Sequence, residues 1–259
     1  MKPTSAGPTR RSAVLILGGS RAAAAILSFL AVMLLARAVT PAALGHWAML
    51  LAVQGYALHV AECGLRSVAT AEGRRVRGGP RALLPAYLGL RLILASTVIV
   101  TFLAGTRWLN PELGPAMALV LTSLVAIALQ LDWLALLAER PVAAGLLLLV
   151  RPAAWLGLLA LLGHDPGLER LATLFALAWA LAAAGTWPLL RGSRAIPGGD
   201  EPAPGPRQLL SLGWPLAVVT LVGQLQISAD LLAVGSVLGA AEAGHYYLAA
   251  QIAVALAAG

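Results

Sequence analysis

Residues 141–162 read PVAAGLLLLVRPAAWLGLLALL and carry one charged side chain, Arg151, in 22 positions. About 20 apolar residues, rising roughly 1.5 Å each along a helix, cross the ~30 Å hydrocarbon layer of a bilayer. The stretch therefore reads as a membrane span, and its neighbours read alike. Apolar runs occupy 14–36, 46–65, 83–105, 115–137, 142–162, 169–190 and 209–238, and an eighth begins near Ala243 and is still running at Gly259. The whole chain of 259 residues is 59% hydrophobic and 11% charged, with a mean hydropathy of +0.84. A soluble domain is about a quarter charged, so lipid is the expected solvent. The runs show no period-two alternation, which argues against a β-barrel and leaves helices as the means of satisfying the backbone in lipid. The expected fold is all-α, a polytopic transmembrane helix bundle.

Basic residues resist export and collect on the cytoplasmic side of a membrane. With a cytoplasmic amino terminus, the inner segments hold Lys2, Arg10, Arg11, Arg66, Arg74, Arg75, Arg77, Arg81, Arg140, Arg191, Arg194 and Arg207, and the outer ones only Arg37, Arg107 and Arg170. This bias predicts a multi-pass protein of the bacterial cytoplasmic membrane with its amino terminus inside. The first run is too long for the core of a cleaved signal peptide and is followed by further spans, so it is expected to stay as a helix. Trp47 and Trp108 near the outer boundary, and Trp133, Trp187 and Trp214 near the inner one, are expected as interfacial anchors.

Several functions find no support. Cys63 is the single cysteine, which excludes an internal disulfide and leaves no cysteine pair for a metal site. The net charge of +7 is spread among hydrophobic segments and not gathered on a soluble basic face, so nucleic acid is not the expected partner. No HExxH, GxSxG or phosphate-cradling GK[ST] loop is present, and no cofactor is expected. An enzyme is therefore not the expected reading.

The stretch from Arg191 to Arg207 includes IPGGDEPAPGP, whose prolines and glycines stop a helix and whose charges favour water. The expected organisation is a lobe of six helices over 1–190, a cytoplasmic linker over 191–207, and the start of a second lobe over 208–259. A weak internal repeat supports it: LLARAVTPAALGHWAMLLAV from Leu34 matches AVGSVLGAAEAGHYYLAAQI from Ala233 at an offset of 199 residues. Gly45 and His46 fall on Gly244 and His245, and Trp47 on Tyr246. Span one then corresponds to span seven, both leaving the cytoplasm, as in transporters built from parallel repeats. The eighth run ends without a polar tail, so the second lobe is expected to be interrupted.

These same residues carry a resemblance. LLARAVTPAALGHWAML (with Arg37, Gly45 and Trp47), AECGLRSVATAEGRR (with Glu62, Gly64 and Leu65), QLDWLALLAER, and SADLLAVGSVLGAAEAGHYYLAAQIA (with Asp230, Gly239, Gly244 and Tyr246) resemble the polysaccharide and oligosaccharide flippase family. That family belongs to the multidrug/oligosaccharidyl-lipid/polysaccharide exporter superfamily. The resemblance implies a lipid-linked oligosaccharide flippase that works for polysaccharide biosynthesis with 12 to 14 helices in two lobes. It also implies an undecaprenyl-diphosphate-linked oligosaccharide as substrate, and contact with membrane lipids and with other polysaccharide assembly proteins.

Three arginines fall inside spans: Arg21, Arg91 and Arg151. A charge at mid-helix costs at least ~2.5–3.5 kcal/mol, so such residues face a bundle interior or a watery cavity. Arginine presents several fixed donors to phosphate oxygens and stays charged at any relevant pH, so the three are the candidates to line a cationic cavity for a diphosphate. Arg21 and Arg91 could instead snorkel to headgroups or pair with Glu62 or Asp132. Arg151 is deepest, and Pro152 beside it frees the carbonyl of Leu148. Glu62, Asp132 and Asp230 are candidates for coupling or for structural ion pairs. A cation-coupled multidrug exporter of the same superfamily, and a non-transporting membrane remnant or partner of an assembly complex, are the alternatives.

Overall fold

A computed structural model describes residues 10–109, 113–162, 166–193 and 196–257. Lys2 and Arg194 lie outside the described residues, as do the side chains of Arg10, Arg107 and Trp108. The elements are α1 (Arg10–Ala38), α2 (Pro41–Glu62), α3 (Leu65–Glu72), α4 (Pro80–Leu109), α5 (Gly114–Ala128), α6 (Trp133–Leu137), α7 (Pro141–Ala160), α8 (Leu168–Thr186), α9 (Leu189–Gly192), α10 (Pro206–Val237) and α11 (Ala240–Ala257). The protein is an all-α bundle, and an isolated bridge between Val76 and Glu201 is the one β feature among the described residues.

Among the described residues, seven helical segments are long and apolar enough to cross a membrane: Arg11–Ala38, Pro41–Glu72, Pro80–Gly105, Gly114–Leu137, Pro141–Ala160, Leu168–Gly192 and Pro206–Val237. They match the seven runs read from the sequence. Prolines open α2, α4, α7 and α10, where the missing N–H would have had no intrahelical partner. The hydroxyl of Thr40 caps α2 by accepting from the Ala43 N–H at 3.3 Å.

Two spans differ from expectation. The second continues past residue 65 to Glu72, but it bends at Cys63 and Gly64, whose φ values of 44° and 65° are left-handed. The bend lies where α10 crosses, because a Cβ on Gly64 would overlap the Gly213 carbonyl and one on Gly213 would overlap the Cys63 carbonyl. The fourth span is split between α5 and α6 at 129–132. Thr186 of α8 accepts from the freed Leu131 N–H at 3.0 Å, and Arg91 of α4 donates to the Gln130 carbonyl at 3.3 Å. Side chains from two neighbouring helices thus satisfy the broken ladder.

Helix α1 lies along α7, α8 packs on α5 and α7, and α2 is central, touching α4, α5, α10 and α11. One core gathers Trp47, Leu121, Leu124 and Phe175; another, at the arginine-rich end, gathers Leu83, Tyr87, Leu131 and Trp133. Trp47 and Trp133, expected as interfacial anchors, are instead 1% and 0% exposed. Trp47 stacks on Trp155 at 5.6 Å, and Trp133 meets Tyr87 at 5.2 Å. Both indoles are large apolar surfaces with aromatic partners on adjoining helices, and packing wins over the boundary. Trp187 and Trp214 are exposed.

The repeat positions meet in space. A Cβ on Gly45 would overlap the Ala240 carbonyl, and a Cβ on Gly244 would overlap the Pro41 carbonyl. Pro41 and Ala240 are separated by the same 199 residues as Gly45 and Gly244. The contact is reciprocal, as across a two-fold axis. On the other side α10 leaves Val218, Val219, Val222, Leu225 and Ile227 exposed, a surface suited to lipid or further helices and not to water.

Candidate functional site

A cavity of about 200 Å³ opens between α1, α2, α7, α8 and α11. Its position follows from local sequence. Pro152 sits inside α7 and cannot donate to the carbonyl four residues before it, so the chain is loosened where Arg151 projects. Trp155, one turn further, and Phe175 of α8 form an aromatic wall with ring centres 5.6 Å apart. Tyr247 and Gln251 of α11, also one turn apart, close the opposite side, and Ser28 of α1 contributes a hydroxyl whose proton goes to the Ala24 carbonyl at 2.8 Å.

The electrostatics of this cavity are unbalanced. The Arg151 guanidinium lies 4.7 Å from the centre of the Trp179 ring and makes no hydrogen bond or ion pair among the described residues. Cation–π attraction contributes ~0.5–2 kcal/mol. That falls short of the ~2.5–3.5 kcal/mol or more needed to place a guanidinium at mid-span. The Tyr247 hydroxyl and the Gln251 amide also lack hydrogen-bond partners among the described residues. A cation and two neutral polar groups therefore face one space, and an anion with further hydrogen-bonding groups would satisfy all three.

The other arginines lie elsewhere. Arg91 is 3% exposed, donates to the Tyr87 hydroxyl at 2.7 Å and to Gln130 at the α5–α6 break, and sits 5.2 Å from the Tyr87 ring centre. It lines no part of the Arg151 cavity. Arg21 is exposed on α1, beside Ser20, whose side chain faces Gly145 of α7. The expectation that three arginines share one cavity gives way to a single arginine at this site, because α1 and α4 present their charges to other surroundings.

Asp132 forms an ion pair with Arg66 of α3. Glu62, half-buried at the end of α2, has no ion pair among the described residues. Asp230 accepts from the Tyr246 hydroxyl and from the Leu231 N–H, the latter at 2.9 Å, and so ties α10 to α11. None of the three carboxylates lines the cavity. A second cavity, of about 440 Å³ between α2, α5 and α10, is walled by Met49, Met117 and aliphatic side chains, with Ser236 the one polar residue of its lining. No group of three or more His, Cys, Asp or Glu suited to a metal ion occurs among the described residues.

Sequence reasoning passed over Tyr247, Gln251 and Trp155. A signal was present for the first two: polar side chains spaced i, i+4 within an otherwise apolar run share one helix face. No known protein family, curated protein or solved structure matches the chain.

Proposed function

We propose that this chain belongs to a transporter that moves an amphipathic anion, an undecaprenyl-diphosphate-linked oligosaccharide, across the bacterial cytoplasmic membrane. The observation that carries the reading is the Arg151 guanidinium, which lines a cavity between spans with no hydrogen bond or ion pair among the described residues. A phosphate oxygen supplies the missing counter-charge, and the Tyr247 hydroxyl and Gln251 amide supply hydrogen bonds to the neighbouring group. The lipid tail stays in the bilayer, for which the apolar exposed faces of α10 are suited. The reciprocal contact of Gly45 and Gly244 supports a plan of two parallel repeats with the substrate path between them. The resemblance of the sequence to oligosaccharide flippases names the glycan class. A carboxylate-lined cavity would suit cationic drugs; none of Glu62, Asp132 and Asp230 reaches the space that Arg151 lines, so the anion is the favoured cargo.

The test is equilibrium binding by the full chain in nanodiscs, with undecaprenyl diphosphate and uncharged undecaprenol as probes. The expected result is that Arg151→Gln weakens the diphosphate at least tenfold and leaves undecaprenol unchanged. Equal diphosphate binding by the two proteins would overturn the assignment.

A further inference from the structure

The segment between α9 and α10 was expected to be a linker held in water by its charges, yet part of it is built into the bundle. Ile196 is 9% exposed and joins the core that holds Val76, Leu83 and Tyr87. The Arg77 N–H donates to the Glu201 carbonyl at 2.7 Å, the Gly199 N–H to Val76 at 3.1 Å, and the Glu201 N–H to Arg75 at 3.1 Å. The Arg77 guanidinium adds a bond to the Asp200 carbonyl at 3.1 Å. Just upstream, Arg81 donates to the Leu190 carbonyl at 2.6 Å and to the Ser193 hydroxyl at 3.0 Å, which fixes α9 against α4.

Two glycine pairs make this approach feasible. A Cβ on Gly198 would overlap the Gly79 nitrogen, and one on Gly199 would overlap the Arg75 carbonyl. Opposite them Gly78 and Gly79 have φ values of 81° and 70°, which favour glycine. The two strands of chain therefore come together backbone to backbone, with no side chain between them.

We infer that Ile196–Glu201 is a clasp, permanently docked on the α3–α4 loop, which limits how far α10 and α11 can travel from the rest of the bundle. From Glu201 to Pro206 the free tether has five residue steps, and a chain reaches ~3.5 Å per step, so the start of α10 stays within about 17 Å of the clasp. Without the clasp the tether would run thirteen steps from Ser193 and reach about 45 Å. Pro202 and Pro204 stiffen the short tether further. The clasp keeps α10 and α11 in register over α2 while leaving room for a rocking motion.

Two measurements on the full chain in nanodiscs test this. Hydrogen exchange of the unsubstituted protein should show the Gly199 and Glu201 amides slowed by about 100-fold or more relative to an unstructured chain, with Ala203 and Gly205 close to the unstructured rate. Exchange at the unstructured rate throughout 196–201 would overturn the clasp. The travel limit is read by spin-label distances between Ala71→Cys and Gln208→Cys in a Cys63→Ser background, with Gly213→Leu added to loosen the seat of α10 on α2. The Ala71–Gln208 distance distribution should extend to longer separations only when Gly199→Val is also present, because only then does the tether of α10 lengthen. Identical distance distributions with and without Gly199→Val would overturn the limiting role, whatever the exchange result.

Discussion

Arg151 and Arg91 are both arginines in apolar helices, and their surroundings assign them different roles. Arg91 satisfies a carbonyl freed by a helix break and is enclosed by Tyr87 and its neighbours. Removing it by Arg91→Met orphans the Gln130 carbonyl, a loss of about 1–3 kcal/mol, and lowers the thermal unfolding midpoint in detergent. Arg151→Gln removes an uncompensated charge, so the midpoint stays level or rises while anion binding falls. The midpoint is thus expected to respond differently to loss of the two arginines, read in a single melting experiment. Arg151 was legible in the sequence because it interrupts a long apolar run next to a proline. The role of Arg91 was not, since nothing in QLDWL announces that the fourth span breaks there; the break becomes visible only when Thr186 and Arg91 arrive from other helices to cap it.

At the scale of elements, existence was easier to read than interruption. Hydropathy marks where a helix can lie in lipid but is blind to a bend at Cys63 and Gly64 or a gap at 129–132, both of which are stabilised by contacts distant in sequence. The α2–α11 contact is the opposite case, since its glycines were conspicuous as a repeat before their meeting was known. Gly45→Val and Gly244→Val should each destabilise the protein by separating the two helices. Because each opens the same interface, the double variant should cost less than the two single effects added together. A double-mutant cycle of thermal midpoints checks this; strict additivity would mean that the two glycines do not share one contact. The tryptophans show how packing overrides a positional rule: Trp187 and Trp214 are exposed, whereas Trp47 and Trp133 are drawn into the cores.

The molecule presents, among the described residues, seven apolar helices, an end rich in arginine, and a guanidinium, Arg151, that lines a cavity between spans without a hydrogen-bonding partner. The proposed orientation places the α3–α4 loop and the clasp in the cytoplasm. Alkaline phosphatase fused after Gly78 should therefore be inactive, and fused after Gly167 it should be active; the reverse pattern would invert the topology. The cargo is the larger claim, and transbilayer movement tests it most directly. The full chain is reconstituted into liposomes with a fluorescent undecaprenyl-diphosphate-linked oligosaccharide in both leaflets, and a membrane-impermeant quencher reports how much of the lipid becomes accessible. Accessible fluorescence is expected to rise from about half towards completion with the unsubstituted chain and to stay near half with Arg151→Gln, since without the guanidinium the diphosphate has no counter-charge at mid-membrane. Equal movement by both proteins, or none by either, would contradict the proposed cargo.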